Sequence, residues 1–182
     1  EEGWAVAAVA GRLALGPLCA AVAVALHTHP NPALAQAARQ LGDSNLDDST
    51  RLGLLGALLQ QTRLLLVLDN FEDNLAVGGH AFLDDTVQQL LGLLAARAQR
   101  GRLLITCRYP LPALEDELHE QPVPPLSAAE VRKLLWRLDS LKGLDRADVG
   151  EVMRHVGGHP RMLEFLDSLL SHGAARLPDV KR

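Results

Sequence analysis

Apolar side chains in this chain fall into short unbroken runs and longer helical stripes. Residues 64–68 read Leu-Leu-Leu-Val-Leu and end on Asp69. A run this short and wholly apolar predicts a strand buried on both faces, the mark of a parallel sheet. Residues 103–106, Leu-Leu-Ile-Thr, predict a second such strand. Between them Val87, Leu90, Leu91 and Leu94 recur at helical spacing and predict a helix over 82–99. Arg97 and Arg100 lie near its end, where cations suit the helix dipole, and Gly101 stops it.

The upstream third is less punctuated. Residues 4–15 are mostly Ala and Val and predict a buried helix, broken by Gly16-Pro17. Residues 20–26 then predict a buried strand, and 33–41 a short helix with Leu34, Ala37, Ala38 and Leu41 on one face. Asp48 or Ser49 is the expected cap of a helix running to about 62.

After the proline-bounded stretch 121–126, an edge strand or connector, the pattern becomes helical throughout. Ser127 with Glu130 forms a capping-box signature for a helix over 127–138, and 146–156 predict the next. Gly157-Gly158-His159-Pro160 separates that from a third helix, with Pro160 in its first turn. A last helix is expected after Pro178. The expected organisation is an α/β domain over 1–124 and a small helical bundle over 125–182.

Composition narrows the function. The chain has 182 residues, a net charge of −4 and 3% aromatics, which speaks against a nucleic-acid surface. Two cysteines, Cys19 and Cys107, make neither a disulfide framework nor a spaced metal motif, in keeping with a cytoplasmic protein. The apolar stretch 4–26 is long enough to span a bilayer, but Arg12 near its middle and the Gly16-Pro17 break favour buried elements, so no membrane partner is expected.

Candidate chemistry sits at strand ends, where ligands of open α/β sheets bind. Asp69 closes the first predicted strand, and a carboxylate there can hold Mg²⁺ directly or through water. Glu72 follows three residues later, and Thr106 and Arg108 close the second strand. Arg108 offers a planar fork suited to phosphate oxygens.

The ordered set Leu68-Asp69-Asn70-Phe71-Glu72, Leu104-Ile105-Thr106-Cys107-Arg108 and Gly157-Gly158-His159-Pro160 resembles the NB-ARC and related STAND signalling ATPases. That resemblance implies a three-layer parallel-sheet P-loop NTPase core. Asp69 would be the Walker B acid and metal ligand, with Glu72 orienting the attacking water. Thr106 and Arg108 would form the γ-phosphate sensor, and Gly158, His159 and Pro160 the turn beside the adenine. It further implies Mg²⁺ with ATP or ADP as cofactor, flanking sensor and effector domains in a longer chain, and a homo-oligomer in the ATP state.

Two departures qualify it. Asn70 stands where the family often has a second acid, so hydrolysis is expected to be slow or absent. No G-x-x-x-x-G-K-[ST] loop occurs, and the first lysine is Lys133, so the P-loop and its strand are expected to precede 4–15. Two alternatives are a scaffold that has lost nucleotide binding and a metal-dependent hydrolase built on His27 and His29, with Asp69 as a further ligand. The acid pairs Asp84-Asp85 and 115–117 read as surface or helix-start charge.

Overall fold

The computed structural model describes residues 3–112, 114 and 116–173. The chain divides into two compact units between Glu120 and Gln121. The expected helix after Pro178 lies outside the described residues, as do Ala113 and Glu115.

The first unit is α/β. Strands β1 (Ala5–Ala10), β2 (Leu64–Asp69) and β3 (Arg102–Ile105) form a parallel sheet in the order β1-β2-β3. Ala7, Leu66 and Leu103 stand in register across it. Helices α1 (Leu15–Leu26), α2 (Pro32–Leu41) and α3 (Asp48–Gln61) join β1 to β2, and α4 (Asp85–Arg97) joins β2 to β3.

One core runs between the sheet and these helices. Leu18, Val22, Leu26, Leu55, Leu59, Leu91 and Leu94 from the helices meet Ala7, Leu64, Leu66 and Leu68 from the strands. The alternate strand residues point the other way. Val6 and Leu104 are exposed, Leu65 and Val67 half-buried, and none of the four belongs to that core. The first unit is therefore two-layered among the described residues, not three-layered as expected. Both crossovers step in the same direction along the sheet, so connections of one handedness place their helices on one face.

The stretch 4–26 departs from expectation twice. Residues 5–10 are a strand where a helix was expected, and 15–26 are a helix that takes in the strand expected over 20–26. Ala favours helix, but β1 gains a full six-residue pairing with β2 that local propensity does not anticipate. Gly11, with φ +77°, makes the break expected at Gly16-Pro17. Pro17 sits in the first turn of α1, where its missing N–H is no loss. Further on, Asp47 rather than Asp48 or Ser49 caps α3, its carboxylate accepting from Thr50 N.

The second unit has its own core. Helices α5 (Ala128–Leu135), α6 (Arg146–Val156) and α7 (Pro160–Ser171) bury Val131, Leu135, Val152, Leu163 and Leu166 together with Leu141. The capping box forms: Ser127 caps Glu130 N, and the Glu130 carboxylate returns to Ser127 N at 2.8 Å. Helix α5 ends at Leu135, three residues short of expectation, and 121–126 form no strand.

Candidate functional site

Parallel pairing brings the carboxyl ends of all three strands of the first unit to one rim. Asp69 is the last residue of β2, opposite Ala10, and is exposed. One carboxylate oxygen, Oδ1, accepts a short hydrogen bond from the Thr106 hydroxyl. That hydroxyl accepts in turn from Asn70 N at 3.1 Å. Backbone bonds lock the same corner: Thr106 N donates to Leu68 O at 3.0 Å, and Phe71 N donates to Thr106 O at 2.9 Å. Asp69 Oδ2 has no partner among the described residues, so it is the oxygen left to meet a cation.

Beyond Asp69 the chain turns sharply. Asn70 takes the left-handed conformation, φ 53°, the one non-glycine to do so among the described residues. Asn tolerates this geometry better than most residues, and such strain gathers at functional positions. A short 3-10 turn, Phe71–Asn74, follows. Phe71 is fully buried and meets Phe82 edge-on at 6.3 Å, anchoring the turn beneath the rim.

The turn sets two carboxylates, Glu72 and Asp73, beside the strand ends. Glu72 Oε1 pairs with Arg108 Nε at 2.9 Å; the glutamate is largely buried and the arginine exposed. The contact uses Nε, so the two terminal guanidinium nitrogens remain without partners among the described residues. Glu72, expected to orient a water, is thus engaged in holding Arg108. Gly11, at the end of β1, donates to Asp69 O at 2.8 Å, and a Cβ on it would stand 3.1 Å from Asp73 Oδ2.

The residue that ties this corner together was not visible in the sequence. Asn74 is buried, and its Oδ1 accepts from Leu13 N at 2.7 Å. Its Nδ2 donates to Gly11 O at 3.0 Å and to Phe71 O at 3.1 Å. One amide thereby fixes the loop leaving β1 to the turn leaving β2. A lone Asn in a polar loop carries no periodicity or motif that signals burial.

The other predicted residues lie in the second unit. Gly158 is buried, its carbonyl accepts from Leu126 N at 2.8 Å, and the Leu126 backbone fills the space a Cβ would need. Gly157, φ +66°, ends α6; exposed His159 is the N-cap position of α7, and Pro160 is its first residue. The sequence-predicted set therefore falls into Asp69, Glu72, Thr106 and Arg108 at one rim, and Gly158, His159 and Pro160 in a separate helical corner.

The His27/His29 arrangement does not hold. Both follow a helix rather than a strand. His27 Nδ1 bonds Val24 O at 2.6 Å, and His29 Nε2 lies 3.4 Å from the Thr62 hydroxyl, just before the amino end of β2. Asp69 is at the other end of that strand. Among the described residues no three His, Cys, Asp or Glu side chains group as metal ligands. No helix of the described residues is long and apolar enough to cross a membrane. Compared with protein-family models, curated proteins and solved structures, the chain matches none.

Proposed function

We propose that this chain belongs to a nucleotide-dependent switch of the STAND or NB-ARC kind, taking ADP or ATP with Mg²⁺ at the carboxyl rim of its sheet. The observation that carries the reading is the convergence at one rim of Asp69, held by Thr106, and Arg108, held by Glu72. A phosphate chain needs a metal and cationic donors to offset its charge. Asp69 Oδ2 would meet the metal, and the free guanidinium nitrogens of Arg108 would meet phosphate oxygens.

The uncovered face supports the same reading. Parallel sheets are covered on both faces, yet Val6, Leu65, Val67 and Leu104 have no covering layer among the described residues of the first unit. A further strand beyond β3 would have to return to β1 against the direction of the two existing crossovers. A crossover of the same hand would then place its helix on the open face. Its strand-to-helix loop would lie at the carboxyl rim beside Thr106 and Arg108, where a lysine-bearing phosphate loop is needed.

The switch reading is of binding more than of fast hydrolysis. Asn70 replaces a second acid, and the Glu72 carboxylate is committed to Arg108. ADP would favour a closed arrangement and ATP an open, self-associating one, each through contacts the other lacks. The test is titration of the full-length protein with a fluorescent ADP analogue, with and without Mg²⁺. Asp69→Ala should remove the Mg²⁺ dependence. Arg108→Ala should weaken binding about tenfold or more, the loss expected for a charged hydrogen bond. Absence of saturable nucleotide binding would favour a scaffold without nucleotide and defeat the reading.

A further inference from the structure

We propose that two copies of this chain pair through β1, antiparallel across a two-fold axis, joining three strands from each copy into one continuous sheet. In a parallel ladder, alternate residues direct both backbone groups to the same neighbour. Ala5 N bonds Arg63 O and Gly11 N bonds Asp69 O, so the odd-numbered residues of β1 face β2. Val6, Ala8 and Ala10 therefore turn their N–H and C=O groups outward. β1 is the terminal strand in the sheet order, and nothing among the described residues pairs with that edge.

Natural sheets protect such an edge with charge, proline or a bulge. Residues 4–10 contain no charge and no proline, and all six strand residues pair in unbroken register with β2. Beside the edge runs a groove of about 390 Å³ lined only by alanine and valine, among them Val6, Ala8, Ala20 and Val24. The α1 sequence, Leu-Gly-Pro-Leu-Cys-Ala-Ala-Val-Ala-Val-Ala-Leu, has no charged residue at all. A helix apolar on every side belongs inside a core, yet Val24 is 71% exposed and Val6 55%.

Three features select a second copy as the occupant. An open strand edge is satisfied by extended backbone, and β1 itself is an extended apolar strand. Bringing identical surfaces together is repulsive when they are charged, and this one carries no charge to repel. The geometry also closes: with Ala8 opposite the partner's Ala8, Val6 meets the partner's Ala10, and every outward N–H and C=O finds a mate. Both α1 helices then lie on the same side of the sheet, and Ala20 is small enough to let them approach. The contact is isologous and ends at two copies. It is independent of nucleotide.

Sedimentation of the chain over a range of concentrations reads the outcome directly. A species of twice 19.6 kDa is expected. Val24→Lys and Val6→Lys should each return it to 19.6 kDa with an unchanged circular-dichroism spectrum, since both side chains are exposed within one copy. Ala8→Cys should give an oxidised cross-linked dimer through that cysteine, which keeps the test decisive if a lysine variant fails to fold. A 19.6 kDa mass at every concentration, or a dimer indifferent to both lysines, would overturn the proposal. So would failure of Ala8→Cys to cross-link within a dimer, or capture of an extended apolar peptide at this edge by a chain that stays monomeric.

Discussion

Asn74→Ala is the sharpest perturbation the rim offers. The change leaves the side-chain partners of Leu13 N, Gly11 O and Phe71 O vacant at once. Leu13 is buried, so its amide cannot turn to water. A buried donor left unpaired costs about 1–3 kcal/mol. The two carbonyls lose less apiece, because each keeps a second lone pair. The sum is roughly 3–4 kcal/mol, a large part of the 5–15 kcal/mol of a typical domain. Urea unfolding followed by circular dichroism should show a lower midpoint for the first unit with an unchanged slope. Hydrogen exchange should show lost protection at the Leu13 amide. Asn74→Asp separates geometry from mere volume: it keeps an acceptor for Leu13 but sets a carboxylate against two carbonyls. It should be at least as damaging at neutral pH and improve on acidification, when a protonated carboxyl can donate. A cost below about 1 kcal/mol for Asn74→Ala, with Leu13 still protected, would refute the claim that this amide holds the corner.

Two further expectations concern pH. Hydrogen bonds from the Ser127 side chain and backbone hold the Glu130 carboxyl below its ordinary range. The folded form therefore favours the carboxylate, and this stabilisation is present above the usual Glu range and lost on acidification through the folded value. Ser127→Ala should cost the second unit about 1 kcal/mol at neutral pH, and the gap to wild type should narrow in strong acid, as read by paired thermal melts. Burial pushes the Cys19 thiol up from 9.0 to about 11, partly offset by Arg51. The folded state keeps a proton that the unfolded state releases, so stability is full below 9.0 and falls as pH rises toward 11. The fall should reach roughly 2 kcal/mol and be absent in Cys19→Ala, as measured by alkaline urea titrations.

The sequence was most legible where polar residues mark the boundaries. Asp69 closes β2, Gly101 stands directly before β3, and Ser127 with Glu130 opens α5. Helix α6 falls on the expected 146–156, because Asp145 caps it and Gly157 ends it. The rim residues were legible for the same reason: Asp69, Thr106 and Arg108 are polar groups placed directly after apolar runs. Asn74 was not, since its importance comes from three backbone partners, two of them more than sixty residues away in sequence. The Glu72–Arg108 pair was also hidden, because register across two strands decides which side chains meet.

Residues 4–26 depart from the expected pattern for a physical reason that carries over to the proposed dimer. Arg12 is the one charged residue in that span, so neither period nor cap distinguishes helix from strand. What decides is the sheet: Val6 and Val9 suit a strand, and β2 offers six residues to pair with. Once 5–10 are committed, α1 must pack one side of an all-apolar helix onto the core, leaving Val24 outside. The lack of polar markers that blurred the prediction therefore also leaves an outer flank with nothing suited to water. Both follow from a composition suited to burial on every side, and the described helices supply only one of those sides to β1. The β1 edge and the open sheet face thus require different covers: an extended strand at the edge, where backbone groups point outward, and a helix across the face, where only side chains do.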